Sequence, residues 1–206
     1  MDHYENFPVA SWLCPPALRP PILAIYRFAR TADDLADEGG ASAEKRLADL
    51  QIFRETWLSS LQSPLPLEAP WSGVFNTLAL QIQRFQLPLG PLHDLLDAFE
   101  QDVAYTRDGR GYPNREELLE YCQRSANPIG RLLLHLYRVN DADSLRRSHS
   151  LIEAAMRLAR SQVRRSWTEA DINQPTNSAK TVEIDPQRMS GVLKNSLGDI
   201  FVTDCV

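Results

Sequence analysis

Residues 33 to 38, Asp-Asp-Leu-Ala-Asp-Glu, put four carboxylates into six positions, with Arg30 three residues before them and two glycines directly after. Carboxylate oxygens suit hard divalent cations. Magnesium characteristically takes one or two of them, keeps several waters and accepts phosphate oxygens at its remaining positions. On a helix, residues three, four and seven apart project the same way, so Asp33 and Asp37 would aim at one point in a stripe with Tyr26 and Arg30. Such a run is unfavourable without a cation, because a helix C-terminus is partially negative and disfavours each acid by a few tenths to about 1 kcal/mol. A solvated acidic helix end, with Arg30 paired to Asp33 or Asp34, is the competing reading.

The helix that must hold these groups begins near Pro20 and Pro21, which suit a first turn whose amides lack intrahelical acceptors. It ends at Gly39 and Gly40. Between them Ile22, Ile25, Phe28 or Ala29, Ala32 and Ala36 recur at the spacing of one buried face. Further helical patterns follow from about Ser42 to Gln62, from Val74 to Phe85, and from about Pro91 to Thr106. The proline-rich SPLPLEAPWSG makes a connection. In the fourth helix Leu92, Leu95, Phe99 and Val103 form the apolar face, and Asp94 and Asp97 fall outside it. Asp102 lies nearly above Leu95 and therefore points toward the core or a cavity, unless it sits at the rim beside an arginine such as Arg107. Asn114 and Glu117 read as a cap and its reciprocal partner, starting a fifth helix that runs to about Tyr137 and kinks at Pro128. No strand pattern, internal repeat or low-complexity tract interrupts this series.

AIYRFARTADDLADE resembles the first aspartate-rich motif of the squalene and phytoene synthase family. HYENFPVASWLCPPALRPP and YCQRSANPIGRLLLHLY are similar to the hydroxysqualene synthase branch of that family. The resemblance covers about residues 1–148. It implies an all-α, isoprenoid-synthase-type helical bundle, incomplete at its C-terminal end, with magnesium (Mg2+) as cofactor held by Asp33, Asp34 and Asp37. Arg30 would act on the same diphosphate oxygens. It further implies that Asn6, Phe7, Tyr26, Asp102, Tyr121, Ser125, Ile129, Gly130 and Leu133 bind the isoprenoid. The implied partner is an isoprenoid diphosphate, either presqualene diphosphate or a C15 prenyl diphosphate. In the hydroxysqualene branch presqualene diphosphate loses diphosphate and water quenches the cation, without a nicotinamide reductant. Head-to-head squalene or phytoene synthesis is the alternative within the family.

Residues 149–206 depart from this pattern. The family carries a second aspartate-rich segment on a later helix, and this sequence contains no second DxxxD. The expectation is therefore little or no synthase activity from the chain as it stands, and a non-catalytic, truncated or frame-altered fragment is the competing reading. The segment SLIEAAMRLARSQVRRSW reads as a basic amphipathic helix, either packed and solvated or in peripheral contact with an anionic membrane. The rest reads as irregular.

Composition bounds the remaining choices. A chain of 206 residues suffices for one medium domain with a real core. A formal charge of −5 argues against a nucleic-acid partner. The polar N-terminus, the lack of a membrane-length apolar run and three scattered cysteines lead to the expectation of a cytoplasmic protein with reduced thiols. GxSxG, GKS or GKT, HExxH and GxGxxG patterns are absent from the sequence.

Overall fold

The computed structural model describes residues 14–112 and 115–149, and among these there are helices and no strands. Six helices follow one another: α1 Arg19–Asp37, α2 Ala43–Gln62, α3 Ser72–Phe85, α4 Gly90–Arg107, α5 Arg115–Ser125 and α6 Asn127–Leu136. Helical turns resume at 142–149. None of the described helices is long and apolar enough to cross a membrane.

Helix α1 starts with Pro20 and Pro21 in its first turn and buries Ile22, Ile25, Phe28, Ala29 and Ala32. It packs against α2, α3 and α4. Phe28 is the centre of this packing, with its ring centroid 5.3 Å from that of Phe53 and 5.1 Å from that of Trp57, both on α2. Phe53 meets Phe75 of α3 edge-on at 4.6 Å. These rings are fully buried, so the middle of α1, up to the turn that carries Asp33, is fixed in the core.

Ser42 caps α2 by accepting from the Lys45 amide at 3.3 Å. The proline-rich connection is tied down by Asn76, whose side-chain amide both accepts from and donates to the Leu65 backbone at 2.9 Å. Trp71, at the start of α3, takes a left-handed φ of 54°. Its ring lies edge-on to Phe53 at 5.1 Å, a contact that holds this residue in a conformation uncommon for a bulky side chain.

Helix α4 runs against both α1 and α2. Arg54 of α2 crosses to it and donates to Asp97 at 2.6 Å and to Glu100 at 2.9 Å. Asp94 is similarly used, 3.4 Å from Arg131 of α6. The single kinked fifth helix expected from the sequence is two helices. The break falls at Ala126, before Pro128, because a proline in the first turn of a new helix costs no hydrogen bond.

Candidate functional site

The C-terminal end of α1 supplies the acids. Asp33 is buried, and Asp34 and Asp37 are half-buried. Arg30 spreads its guanidinium across three carboxylates: Nε is 2.9 Å from Asp34 Oδ1, Nη2 is 2.9 Å from Glu38 Oε1, and Nη1 is 3.5 Å from Asp33 Oδ2.

A second arginine closes the helix end. Arg46, in the first turns of α2, donates from Nη1 to the Ala36 carbonyl and from Nη2 to the Gly39 carbonyl, each at 2.6 Å. Its Nε reaches the Ala41 carbonyl at 3.2 Å. The last carbonyls of a helix have no intrahelical donors. A cation there also opposes the negative end of the dipole. Gly39, with φ of 78°, turns its carbonyl into this clamp through a conformation that glycine adopts without strain.

Across from α1, α4 presents Asp102. These two helices, the turn after α1 and the first turn of α2 line a cleft of about 180 Å³ whose polar lining is Asp33, Asp37, Arg46, Asp102, Thr106 and Arg107. Asp102 is not paired with Arg107. Its Oδ1 accepts from the Tyr112 hydroxyl at 3.2 Å and its Oδ2 from the Tyr121 hydroxyl. Burial raises its carboxyl to about 7, the charges of Asp33 and Asp37 push the same way, and the two tyrosine hydrogen bonds oppose the rise. Burial and the nearby carboxylate raise both tyrosine hydroxyls well above their ordinary range, so they remain donors. The network continues outward: Gln101 donates to the Tyr112 oxygen at 3.4 Å and accepts from Arg124 at 2.6 Å.

Of the residues singled out in the sequence, Asp33, Asp37 and Asp102 meet at one cleft. Asp34 and Arg30 pair with each other beside it. Tyr26 is half-buried against the core, and Ile129 and Leu133 are buried within it. Gly130 and Ser125 are buried as well, and none of these five lines the described cleft. Tyr121 reaches the cleft through Asp102. Asn6, Phe7 and the basic segment after residue 150 lie outside the described residues. Arg46, Tyr112 and Gln101 were not anticipated. An acidic helix end does call for a cation on its carbonyls, but nothing in the spacing names Arg46.

A two-carboxylate wall fits a magnesium ion that completes its shell with water and phosphate oxygens. It does not fit a closed protein cage. Among the described residues no three His, Cys, Asp or Glu side chains gather closely enough to hold a metal alone.

Helices α1 to α6 form an all-α bundle with a polar cleft at one acidic helix end, and the same architecture is found in a solved structure. The crystal structure of squalene synthase HpnC from Alicyclobacillus acidocaldarius superposes with a TM-score of 0.61 at 32% identity, covering 77% of this chain and 55% of that one. The squalene/phytoene synthase family model matches residues 1–162, and the chain belongs to that family. The chain is 38% identical over 140 residues to the hydroxysqualene synthase of Zymomonas mobilis, covering 65% of this chain and 42% of that protein. It is 32% identical over 146 residues to the phytoene synthase of Rhodobacter capsulatus, covering 71% of this chain and 40% of that protein. The matched stretch thus spans less than half the length of these two synthases and just over half of the HpnC chain.

Proposed function

We propose that the cleft binds the diphosphate of an isoprenoid substrate together with magnesium and promotes departure of that diphosphate, with presqualene diphosphate as substrate and hydroxysqualene as product. The observation that carries this reading is the convergence of Asp33 and Asp37 from α1 with Asp102 from α4 on one cleft that also holds Arg46 and Arg107. Acids alone would repel a diphosphate. Acids facing arginines suit an anion that arrives with its cation.

Bound magnesium would supply Lewis-acid stabilisation of the leaving oxygens, held by Asp33 and Asp37. Asp34 contributes through Arg30, the two side chains forming an ion pair that keeps the run of acids from repelling itself. In the reaction the carbon–oxygen bond breaks and its electron pair leaves with diphosphate. A cyclopropane bond of the resulting cation then breaks, its electron pair forming a double bond, and water oxygen bonds to the chain carbon left cationic and gives up one proton. Asp102, at the cleft wall and titrating near neutrality, is suited to take that proton. Identity to the hydroxysqualene synthase, higher than to the phytoene synthase, favours the hydroxysqualene branch over the phytoene branch.

The test is incubation of the purified chain with presqualene diphosphate and magnesium, with and without reduced nicotinamide cofactor. Hydroxysqualene without the cofactor supports the reading, even as a trace. Squalene formed only with the cofactor sinks the branch assignment. Failure of presqualene diphosphate to bind in the presence of magnesium sinks the site itself.

A further inference from the structure

We propose that Arg107 is a diphosphate-binding residue of this cleft, the one whose terminal guanidinium nitrogens meet the incoming phosphate oxygens. The assignment rests on the reading of the cleft as a diphosphate site and names a residue that the acidic motif does not contain.

Three arginines stand near the acids, and two are already committed. Arg30 is bound to Asp34 and Glu38 and lies beside Asp33. Arg46 uses Nε, Nη1 and Nη2 on the Ala41, Ala36 and Gly39 carbonyls, so it could turn toward a ligand only by uncapping α1. Arg107 differs from both. It lines the cleft from the last turn of α4, beside Thr106 and one turn beyond Val103. Its side chain is 42% exposed, and its described contact is through Nε, 2.8 Å from Asp108 Oδ1. A bond at Nε fixes the plane of the guanidinium while leaving the outer pair of nitrogens for another acceptor. That fork matches two oxygens of a phosphate group in a way that an ammonium does not.

Charge points the same way. Asp33, Asp37 and Asp102 make the α1 and inner α4 side of the cleft negative, and Arg107 puts a cation at its rim. A magnesium–diphosphate complex presents both signs, with metal toward the carboxylates and free oxygens toward the cation. Monophosphate or a sulfate would meet the arginine equally well but could not bridge to metal on the acids as readily.

The experiment is calorimetric titration of the chain with inorganic diphosphate in the presence of magnesium, and separately with magnesium alone. Asp33→Asn, Arg107→Ala and Arg107→Lys are compared with the wild type. Arg107→Ala should weaken magnesium–diphosphate binding about tenfold, leave binding of magnesium alone unchanged and keep the wild-type melting temperature. Arg107→Lys should recover part of the loss, since charge returns without the fork. Unchanged diphosphate affinity in Arg107→Ala, alongside a loss in Asp33→Asn, overturns the assignment and leaves the cleft reading intact. Diphosphate binding that survives Asp33→Asn overturns the cleft reading, and no binding by the wild type overturns both. A loss in Arg107→Ala accompanied by a lower melting temperature, with no repair in Arg107→Lys, places the residue in the fold and overturns the proposal.

Discussion

Arg46 of α2 donates to the carbonyl of Ala36, the residue before Asp37, at 2.6 Å. The same guanidinium holds the carbonyls of Gly39 and Ala41. One cation therefore fixes the helix end, the turn after it and the wall of the cleft. Hydrogen bonds from charged donors contribute more than neutral ones, and losing several leaves a helix terminus uncapped. Arg46→Ala should destabilise the chain by roughly 2–3 kcal/mol, and Arg46→Lys should restore less than half of that, because an ammonium cannot span three carbonyls. Urea midpoints of the three proteins decide it. Equal stability of Arg46→Ala and wild type would mean the clamp does not operate in solution.

Asp33→Asn and Asp37→Asn should each abolish magnesium-dependent diphosphate binding while leaving helical content nearly intact. Removing a carboxylate from the negative end of α1 relieves repulsion as well as removing a ligand, so folding has no reason to fail. Circular dichroism and calorimetry on the same samples separate the two effects. Unfolding in both variants with binding retained would show that the acids serve a structural ion-pair network.

Asp102 should leave a signature in the pH dependence of stability. Its folded-state carboxyl titrates at about 7 against 3.8 for the ordinary group, so the folded chain holds a proton that the unfolded chain has released between those values. Its contribution is therefore complete below about pH 4 and is lost as pH rises through 7, with Asp33 and Asp37 facing it and Tyr112 and Tyr121 bonded to it. Asp102→Asn cannot ionise. Relative to wild type it should gain stability between pH 5 and pH 8, by up to a few kcal/mol on a scale of about 1.36 kcal/mol per pH unit. Denaturant unfolding of both proteins at the two pH values tests this, and a constant difference would show that Asp102 does not titrate there.

Phe28→Ala should cost roughly 3–5 kcal/mol, the usual penalty for emptying a fully packed aromatic position. Because Phe28 contacts rings on two neighbouring helices, the loss should appear as one cooperative transition at lower denaturant. A change below about 1 kcal/mol would mean that the four-ring cluster is not the anchor of α1.

The sequence contains one DxxxD, at Asp33 and Asp37. Ionisation of a prenyl diphosphate needs charge compensation at several oxygens together, and each 1.36 kcal/mol of lost stabilisation is about a tenfold loss in rate. Magnesium-dependent diphosphate release by this chain should therefore fall at least about a thousandfold below that of a full-length hydroxysqualene synthase assayed beside it. Comparable rates would show that other residues of this chain supply the missing compensation.

Helix α1 was legible because its signals agree: prolines at the start, glycines at the end and one apolar stripe between them. The pairing of Asp33 with Asp37 followed from helical geometry alone. Asp102 was legible as an inward carboxylate but not as the partner of tyrosines, since Tyr112 comes from the segment after α4 and its approach depends on tertiary packing. Arg46 was hidden for a different reason. An arginine on the polar face of a helix is ordinarily solvated, and its capping role arises only because the chain turns back at Gly39 and lays α2 beside the end of α1. The break at Ala126 was expected two residues later, because proline reads alike as a kink within a helix and as the first turn of a new one.

The hydrogen bonds that end at Asp102 all run in one direction. Arg124 can only donate, so the Gln101 oxygen must face it and the Gln101 NH2 must face Tyr112, whose own proton then goes to Asp102. When Asp102 takes up a proton, its new O–H needs an acceptor, and Tyr112 is held as a donor by the amide behind it. Tyr121 has no such amide behind it: its hydroxyl is bonded to Asp102, with Ser125 one turn further along α5. The row from Arg124 thus fixes Tyr112 as a donor and leaves the Tyr121 bond as the one that a proton on Asp102 would displace.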